Sequence, residues 1–175
     1  MSYCEYVNFD NLETIQEKCL KLFPNDMLKE DGIFYNKKDL EFLTIDELKS
    51  ELKKLNLLDR VKSIGFNVTQ PKNLNSGIHV DSGQHYQSLN IPLQNCENTF
   101  INHFKTEKSP IEKKFVDPKT NNTQTYYEYD EKECNLISSK ETNLPYLIDT
   151  KTPHNISSKN DKVRIALLIR LKNEE

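Results

Sequence analysis

The sequence lacks, or has little of, several features that mark membrane proteins, secreted proteins and other specialised classes of protein. It has no tryptophan, only four glycines among 175 residues, and no apolar run near the roughly 18 residues that a membrane-spanning helix needs. Its first residues lack the basic segment followed by an apolar segment that marks a signal peptide. We therefore expect a cytoplasmic protein without a membrane partner.

Closely spaced cysteines and excess positive charge are also missing. No two of the four cysteines have the C-x-x-C spacing of a zinc or redox site, so isolated reduced thiols are expected. The formal net charge is -3, which provides no overall basic field, and no nucleic-acid partner is expected. The cysteines are Cys4, Cys19, Cys96 and Cys134.

Residues 1–62 have the apolar spacing of helices. Asp10 is placed to cap a helix that begins near Asn11, and Pro24 is expected to end that helix. A second helix is predicted from Thr44, which with Glu47 matches a capping box. We expect this helical flank to pack against one outer face of a sheet.

After Val61 the helical period gives way to short strand-like runs separated by turn-forming segments, over residues 63–171. Many short strands without intervening helices indicate a sandwich or barrel of jelly-roll type. Residues 105–125 are polar and contain proline, which predicts a loop or hairpin insertion. The sequence shows no internal repeat or second domain, so one mainly β domain with N-terminal helices is predicted over residues 1–175.

A candidate metal-binding motif lies at His79-Val80-Asp81. Because alternate residues of a strand share a face, His79 and Asp81 are expected to point the same way and to reach one cation. This short motif has little specificity by itself. Its context adds weight, because it follows a predicted strand and turn and precedes a strand-like run that carries Leu89, Ile91 and Leu93.

His154 follows another strand-like run and is the third candidate ligand. Two histidines and one carboxylate form the ligand set of non-haem iron(II) oxygenases, whereas zinc more often selects three histidines or cysteines. Arg164 comes ten residues later, in a chain where only three of 24 basic residues are arginine. A guanidinium binds a carboxylate through two parallel hydrogen bonds, which lysine cannot do. Arg170 shares the strand face about 20 Å away, so only the nearer Arg164 is expected to serve this site.

The ordered set of H-x-D, a distant histidine and an arginine ten residues later resembles the iron(II)- and 2-oxoglutarate-dependent oxygenase superfamily. The resemblance covers roughly residues 61–171, and segments 88–93 and 153–156 are similar to its prolyl-hydroxylase-like and phytanoyl-hydroxylase-like members. It implies a double-stranded β-helix, a jelly-roll and cupin-like fold. It also implies that His79, Asp81 and His154 bind Fe(2+).

The same resemblance implies that Arg164 pairs with the distal carboxylate of the cosubstrate 2-oxoglutarate and that Asn90 contacts it from a neighbouring strand. The implied reaction is hydroxylation of a C–H bond, coupled to oxidative decarboxylation of 2-oxoglutarate, on an unknown small-molecule or protein substrate. Many members carry a hydroxyl residue two positions after the arginine, where this chain has Ala166. Another hydroxyl or a tyrosine would then have to bind the cosubstrate, or its binding would be weak or absent.

Three other interpretations are open from the sequence. The same fold also hosts non-enzymatic binding or structural domains. A cupin-type metalloenzyme would not use 2-oxoglutarate, although such enzymes usually have more histidines in the first motif. Residues 105–125 would instead bind a protein partner in an interaction module. Of the remaining histidines, His103 is expected to be structural, and His85 is either an exposed loop residue or a residue behind the metal ligands.

Overall fold

The protein is seen in a computed structural model that describes residues 3–24, 28, 32–35, 39–71, 76–81, 87–116 and 123–173. Within these ranges the helices are α1 (Leu12–Lys21), α2 (Asp39–Phe42) and α3 (Asp46–Lys54). The strands are β1 (Cys4–Tyr6), β2 (Gly32–Tyr35), β3 (Val61–Thr69), β4 (His79–Val80), β5 (Gln87–Gln94), β6 (Thr99–Lys105), β7 (Ile111–Val116), β8 (Thr123–Glu128), β9 (Asn135–Glu141), β10 (Tyr146–Asp149), β11 (His154–Ser158) and β12 (Arg164–Leu171). No helix among the described residues is both long and apolar enough to cross a bilayer.

The strands form two six-stranded sheets in which every described pairing is antiparallel. The first sheet has the order β1-β10-β5-β12-β3-β2, and the second has the order β7-β8-β4-β11-β6-β9. The predicted fold class, mainly β with N-terminal helices, is confirmed.

The helices cover one face of the first sheet. Residues Leu89 and Ile91 of β5 alternate with polar residues and join the same buried cluster as Ile15 of α1 and Leu48 of α3. Each fully buried side chain of this size stabilises the fold by roughly 1.5–3 kcal/mol relative to an exposed one. The opposite face of β5 and β12 consequently points at the second sheet, where a cavity lies between the two layers.

The prediction that residues 1–62 are helical is wrong at two places. β1 pairs with β10 and β2 pairs with β3, so each adds a short strand at one edge of the first sheet. Strands of three and four residues are too short to show a sequence period. Their conformation is selected instead by the unpaired N–H and C=O groups that an exposed sheet edge presents.

The predicted helix caps also do not form. The Asp10 carboxylate accepts a hydrogen bond from Lys54 Nζ at 2.5 Å, and the N-terminus of α1 has no side-chain cap. The Thr44 hydroxyl donates to the Glu41 carbonyl at 2.6 Å, so it does not cap α3. In both cases the side chain that was predicted to cap a helix forms a hydrogen bond with a residue outside that helix instead.

Part of the predicted 105–125 insertion is a hairpin. β7 and β8 pair with each other, and β8 then pairs with β4 through His79–Glu128 and Val80–Tyr127. Residues 117–122 between the two strands lie outside the described residues. The hairpin therefore extends the second sheet immediately beside the H-x-D motif.

Candidate metal centre

His79 and His154 are cross-strand neighbours. β4 and β11 pair antiparallel with these two residues directly opposite each other, and their ring centroids are 4.7 Å apart. Asp81 follows β4, where its backbone N–H donates to the Thr150 carbonyl at 3.0 Å. The alternation predicted from the sequence therefore places both side chains of the H-x-D motif beside the second histidine.

The three side chains are close enough to share one ion. His79 Nε2 is 3.8 Å and His154 Nε2 is 4.0 Å from Asp81 Oδ1, and all three candidate ligand atoms lie within 4.8 Å of one another. Three ligand atoms on one face of an ion, each about 2.1 Å from it, lie about 3 Å apart. The three side chains would therefore have to approach one another by roughly 1–2 Å for common coordination.

Backbone carbonyls hold the two imidazole rings. His79 Nδ1 lies 2.8 Å from the Gly77 carbonyl, and His154 Nδ1 lies 2.8 Å from the Thr152 carbonyl. A proton on Nδ1 satisfies these contacts and leaves the Nε2 lone pair facing Asp81. Burial lowers the pKa of His154, and the neighbouring His79 lowers it further, which favours the neutral imidazole that binds metals.

A fourth histidine lies next to this group. His103 on β6 is directly opposite His154, with ring centroids 5.9 Å apart, and Tyr3 stacks on its other side at 5.8 Å. Burial lowers the pKa of His103 to about 4, and neither ring nitrogen has a hydrogen-bond partner among the described residues. It does not belong to the three-residue cluster within 4.8 Å. His85 lies outside the described residues.

A cavity of about 210 Å³ extends from the three side chains between the sheets. Asn90, predicted from the sequence, lines it and is 3% exposed. The remaining walls combine neutral polar groups with aliphatic side chains. The polar groups include Asn67, Thr69, Ser76 and Ser88, together with Tyr146.

Arg164 is buried on the same face as this cavity. It is paired in register with Thr69, a wall residue, and only 1% of its surface is exposed. Its guanidinium has no carboxylate partner among the described residues and interacts with the Tyr146 hydroxyl, although Arg164 is not itself part of the wall. A buried, unpaired charge is costly, so this arrangement favours an anionic ligand. Arg170, at the other end of β12, does not line the cavity.

Sequence reasoning missed the polar wall residues other than Asn90, among them Ser88 and Tyr146. Ser88 alternates with leucine and isoleucine along β5, a strand whose residues 88–93 are all buried. A strand that is buried on both faces is normally apolar throughout. Polar side chains along one of its faces therefore indicate a binding site, and this signal can be detected in the sequence. Tyr146 gives a weaker signal, because it alternates with Ile148, which is also buried.

The sequence matches no protein-family model and no curated protein. The fold is similar to solved structures. The epimerase SnoN in complex with Fe3+, alpha-ketoglutarate and nogalamycin RO has a TM-score of 0.52 and 10% identity, over 97% of this chain and 79% of SnoN. EvdMO1 has a TM-score of 0.51 and 14% identity, over 97% of this chain and 46% of EvdMO1.

A second SnoN structure, described as a non-heme alpha-ketoglutarate-dependent epimerase from nogalamycin biosynthesis, has a TM-score of 0.51 and 11% identity. It covers 97% of this chain and 78% of that one. The chain therefore has a fold like that of iron- and 2-oxoglutarate-dependent enzymes, and the resemblance carried by the sequence motifs is confirmed at the level of the fold.

Proposed function

We propose that this protein is an iron(II)- and 2-oxoglutarate-dependent oxygenase built on a double-stranded β-helix. His79, Asp81 and His154 bind iron, while Arg164 and Asn90 bind the cosubstrate. One observation carries the proposal: a cluster of two histidines and one carboxylate faces the same interior as a buried guanidinium that has no anion.

The available donor atoms fit both groups. Two imidazole nitrogens and one carboxylate leave coordination positions open, as non-haem iron(II) requires. Arg164 offers a planar pair of N–H groups for a carboxylate, and the Asn90 side-chain N–H has no partner among the described residues. Iron and 2-oxoglutarate, when bound, supply the activation of dioxygen that C–H hydroxylation needs.

The protein's own residues hold this site in place. The Gly77 and Thr152 carbonyls orient the two imidazoles through Nδ1. Lys151 Nζ donates to the Asp81 carbonyl at 3.0 Å and so holds the backbone of the carboxylate ligand. Ile148, Ile156 and Leu168 contribute apolar wall to the cavity and limit access of water to the bound groups.

An anaerobic visible spectrum tests this function. Iron(II) and then 2-oxoglutarate are added to the purified protein, and the same additions are made to His79→Ala. We expect a weak charge-transfer band that needs both additions and is missing in the variant. A wild-type spectrum that stays unchanged with both additions would contradict the proposal.

A metalloenzyme of the same shape that does not use 2-oxoglutarate is the second candidate. The observation in its favour is His103, which lies beside His154 and brings a third imidazole near the cluster. Iron binding by the wild type without any further band on addition of 2-oxoglutarate would favour it. If neither ligand binds, a non-enzymatic binding or structural domain is the better interpretation.

We propose further that the chain acts as one domain, in the cytoplasm, on a small-molecule or protein substrate. The net charge of -3 argues against a polyanionic nucleic acid. The buried cluster that joins α1 and α3 to β5 and β12 supports a single folding unit. Succinate release with candidate substrates is the assay that identifies the substrate class.

A further inference from the structure

A row of three rings runs from the candidate metal ligand His154 to the protein surface. His103 lies directly opposite His154 on the neighbouring strand, with ring centroids 5.9 Å apart and ring planes 37° apart. Tyr3, just before β1, stacks on His103 with centroids 5.8 Å apart and planes 26° apart. Both separations lie within the roughly 4.5–7 Å range of paired aromatic rings. The π-system of the ligand therefore continues, ring by ring, to Tyr3.

The two ends of this ring stack differ in their exposure to solvent. His154 is 4% exposed and His103 is 0% exposed, whereas Tyr3 is 40% exposed. Neither His103 nor Tyr3 is among the residues that line the cavity. The stack therefore connects the buried ligand with solvent by a route that is separate from the space in which a substrate would bind.

Packing alone does not account for an imidazole at position 103. Neither of its ring nitrogens has a hydrogen-bond partner among the described residues, and His103 is not one of the three clustered ligands. A leucine would fill the position without leaving two buried polar atoms unsatisfied, which costs stability. Burial lowers the pKa of His103 to about 4, so the ring is neutral at physiological pH.

We propose that Tyr3 and His103 form an electron-transfer route that removes an oxidising equivalent from the metal site when no substrate is bound. This inference rests on the iron binding of the proposed function. One electron passes from Tyr3 through the two imidazole rings to the oxidised iron, which is reduced by one electron. The phenolic O–H bond of Tyr3 breaks and its proton goes to solvent. An enediol reductant such as ascorbate then returns a hydrogen atom to the tyrosyl radical.

The exposure of Tyr3 suits both parts of this step, because solvent can accept the proton and a water-soluble reductant can reach the ring. Tyr6 on β1 provides an internal comparison with almost the same exposure, 39%. Its hydroxyl donates to the Glu141 carbonyl at 2.8 Å, and its ring lies 5.1 Å from Lys140 Nζ. Since Tyr6 is not part of the ring stack, the route predicts oxidation at Tyr3 in preference to Tyr6.

The test adds one equivalent of hydrogen peroxide to the iron(II)-loaded full chain without substrate. Peroxide supplies the oxidant directly, so the result does not depend on whether 2-oxoglutarate is the cosubstrate. Electron paramagnetic resonance of rapidly frozen samples detects the radical, and tandem mass spectrometry locates the oxidised residues. We expect a tyrosyl radical in the wild type and several-fold more oxidation of Tyr3 than of Tyr6. Ascorbate should quench the radical.

Tyr3→Phe removes the phenol at the end of the stack, and Tyr6→Phe is the matched control. We expect the radical signal to be lost in Tyr3→Phe and retained in Tyr6→Phe. Without the route, oxidation of the ligands His79 and His154 should rise several-fold in Tyr3→Phe. Both variants should bind iron(II) with wild-type affinity, since neither tyrosine is one of the three ligands.

His103→Leu interrupts the stack while keeping a buried apolar side chain, and it should reduce oxidation of Tyr3 several-fold. The two tyrosine variants decide the outcome even where His103→Leu does not fold, because both tyrosines are partly exposed.

Equal oxidation of Tyr3 and Tyr6, or a radical that persists in Tyr3→Phe, overturns the route and leaves the proposed function standing. Unchanged oxidation of Tyr3 in folded, iron-loaded His103→Leu also overturns it, since the electron then does not need the imidazole. Unchanged oxidation of the ligands in Tyr3→Phe overturns the protective role. A wild-type protein that binds no iron overturns both this inference and the proposed function.

Discussion

Buried polar side chains on the inner face of the first sheet are the residues that most need a ligand. About nine in ten buried polar groups in folded proteins have a hydrogen-bond partner. Ser88 and Asn90 each have a buried polar atom without a partner among the described residues, and the buried polar atoms of Arg164 and Tyr146 have no partner there except each other. All four lie on β5, β10 or β12, so these atoms belong to one surface of the interior.

His103 gives a testable pH dependence of stability. Its folded-state pKa of about 4 lies below its ordinary value of 6.5, because burial disfavours the charged ring. The unfolded chain therefore binds more protons between these pH values, and the stabilisation is complete above pH 6.5 and is lost as the pH falls toward 4. We expect the free energy of unfolding of the metal-free protein to fall by up to about 3 kcal/mol from this residue.

His103→Phe is the matched variant for that measurement, because a phenyl ring keeps the stack on Tyr3 and cannot be protonated. Denaturant unfolding at several pH values should give a shallower decrease for the variant than for the wild type. His154 contributes in the same direction in both proteins, since burial lowers its pKa as well. Parallel curves for the two proteins would show that His103 is not the titrating group.

At the scale of elements, the two faces of β12 have different roles. One face packs under the helices and stabilises the fold, and the other carries residues that face the cavity. Ile165, Leu167 and Ile169 belong to the cluster under the helices, whereas Arg164 and Leu168 face the other sheet. Alternation along a strand produces this division. A change in the helical layer should consequently alter the stability of the protein without altering the ligand site.

Leu48 on α3 allows that expectation to be tested. It is completely buried in the cluster beneath the helices. Leu48→Ala should lower the free energy of unfolding by about 2–5 kcal/mol, through lost burial and a residual cavity. Denaturant titration measures this change.

The neighbouring exposed Lys49 provides the control, because Lys49→Ala should change stability by only about 0.5 kcal/mol. Both variants should bind iron(II) with wild-type affinity at a temperature where they are folded. Loss of iron binding in folded Leu48→Ala would show that the helical layer and the metal cluster are coupled.

At the scale of the whole molecule, the candidate ligands lie on two different layers. His79 and His154 belong to the second sheet, whereas Arg164 and Asn90 belong to the first. Iron and cosubstrate bound in the cavity would therefore connect the sheets. Any ligand that binds only the folded state stabilises it, by about 2.7 kcal/mol at a concentration of 100 times Kd.

We accordingly expect the Tm to rise by roughly 5–10 °C with saturating iron(II), a shift typical of this gain in a chain of this length. Addition of 2-oxoglutarate should raise the Tm further, and a chelator should reverse both increases. Thermal unfolding under anaerobic conditions measures these shifts. Asp81→Ala should show no increase with iron, and an equal increase in that variant would place the metal elsewhere.

The sequence by itself determined those features that depend only on residues close to one another along the chain. The alternation that puts His79 and Asp81 on one face, the helical period around Ile15 and Leu48, and the use of arginine at position 164 are all local properties. They can be read without the fold, because strand and helix geometry relate residues only a few positions apart.

Only the tertiary structure decided what depends on contact between distant segments. It places His154 directly opposite His79, turns residues 4–6 and 32–35 into edge strands, and brings Tyr146 beside Arg164. Strand pairing sets the first two, because backbone hydrogen bonds at a sheet edge outweigh weak local preferences. The strand order of the first sheet sets the third, because β5 alone lies between β10 and β12.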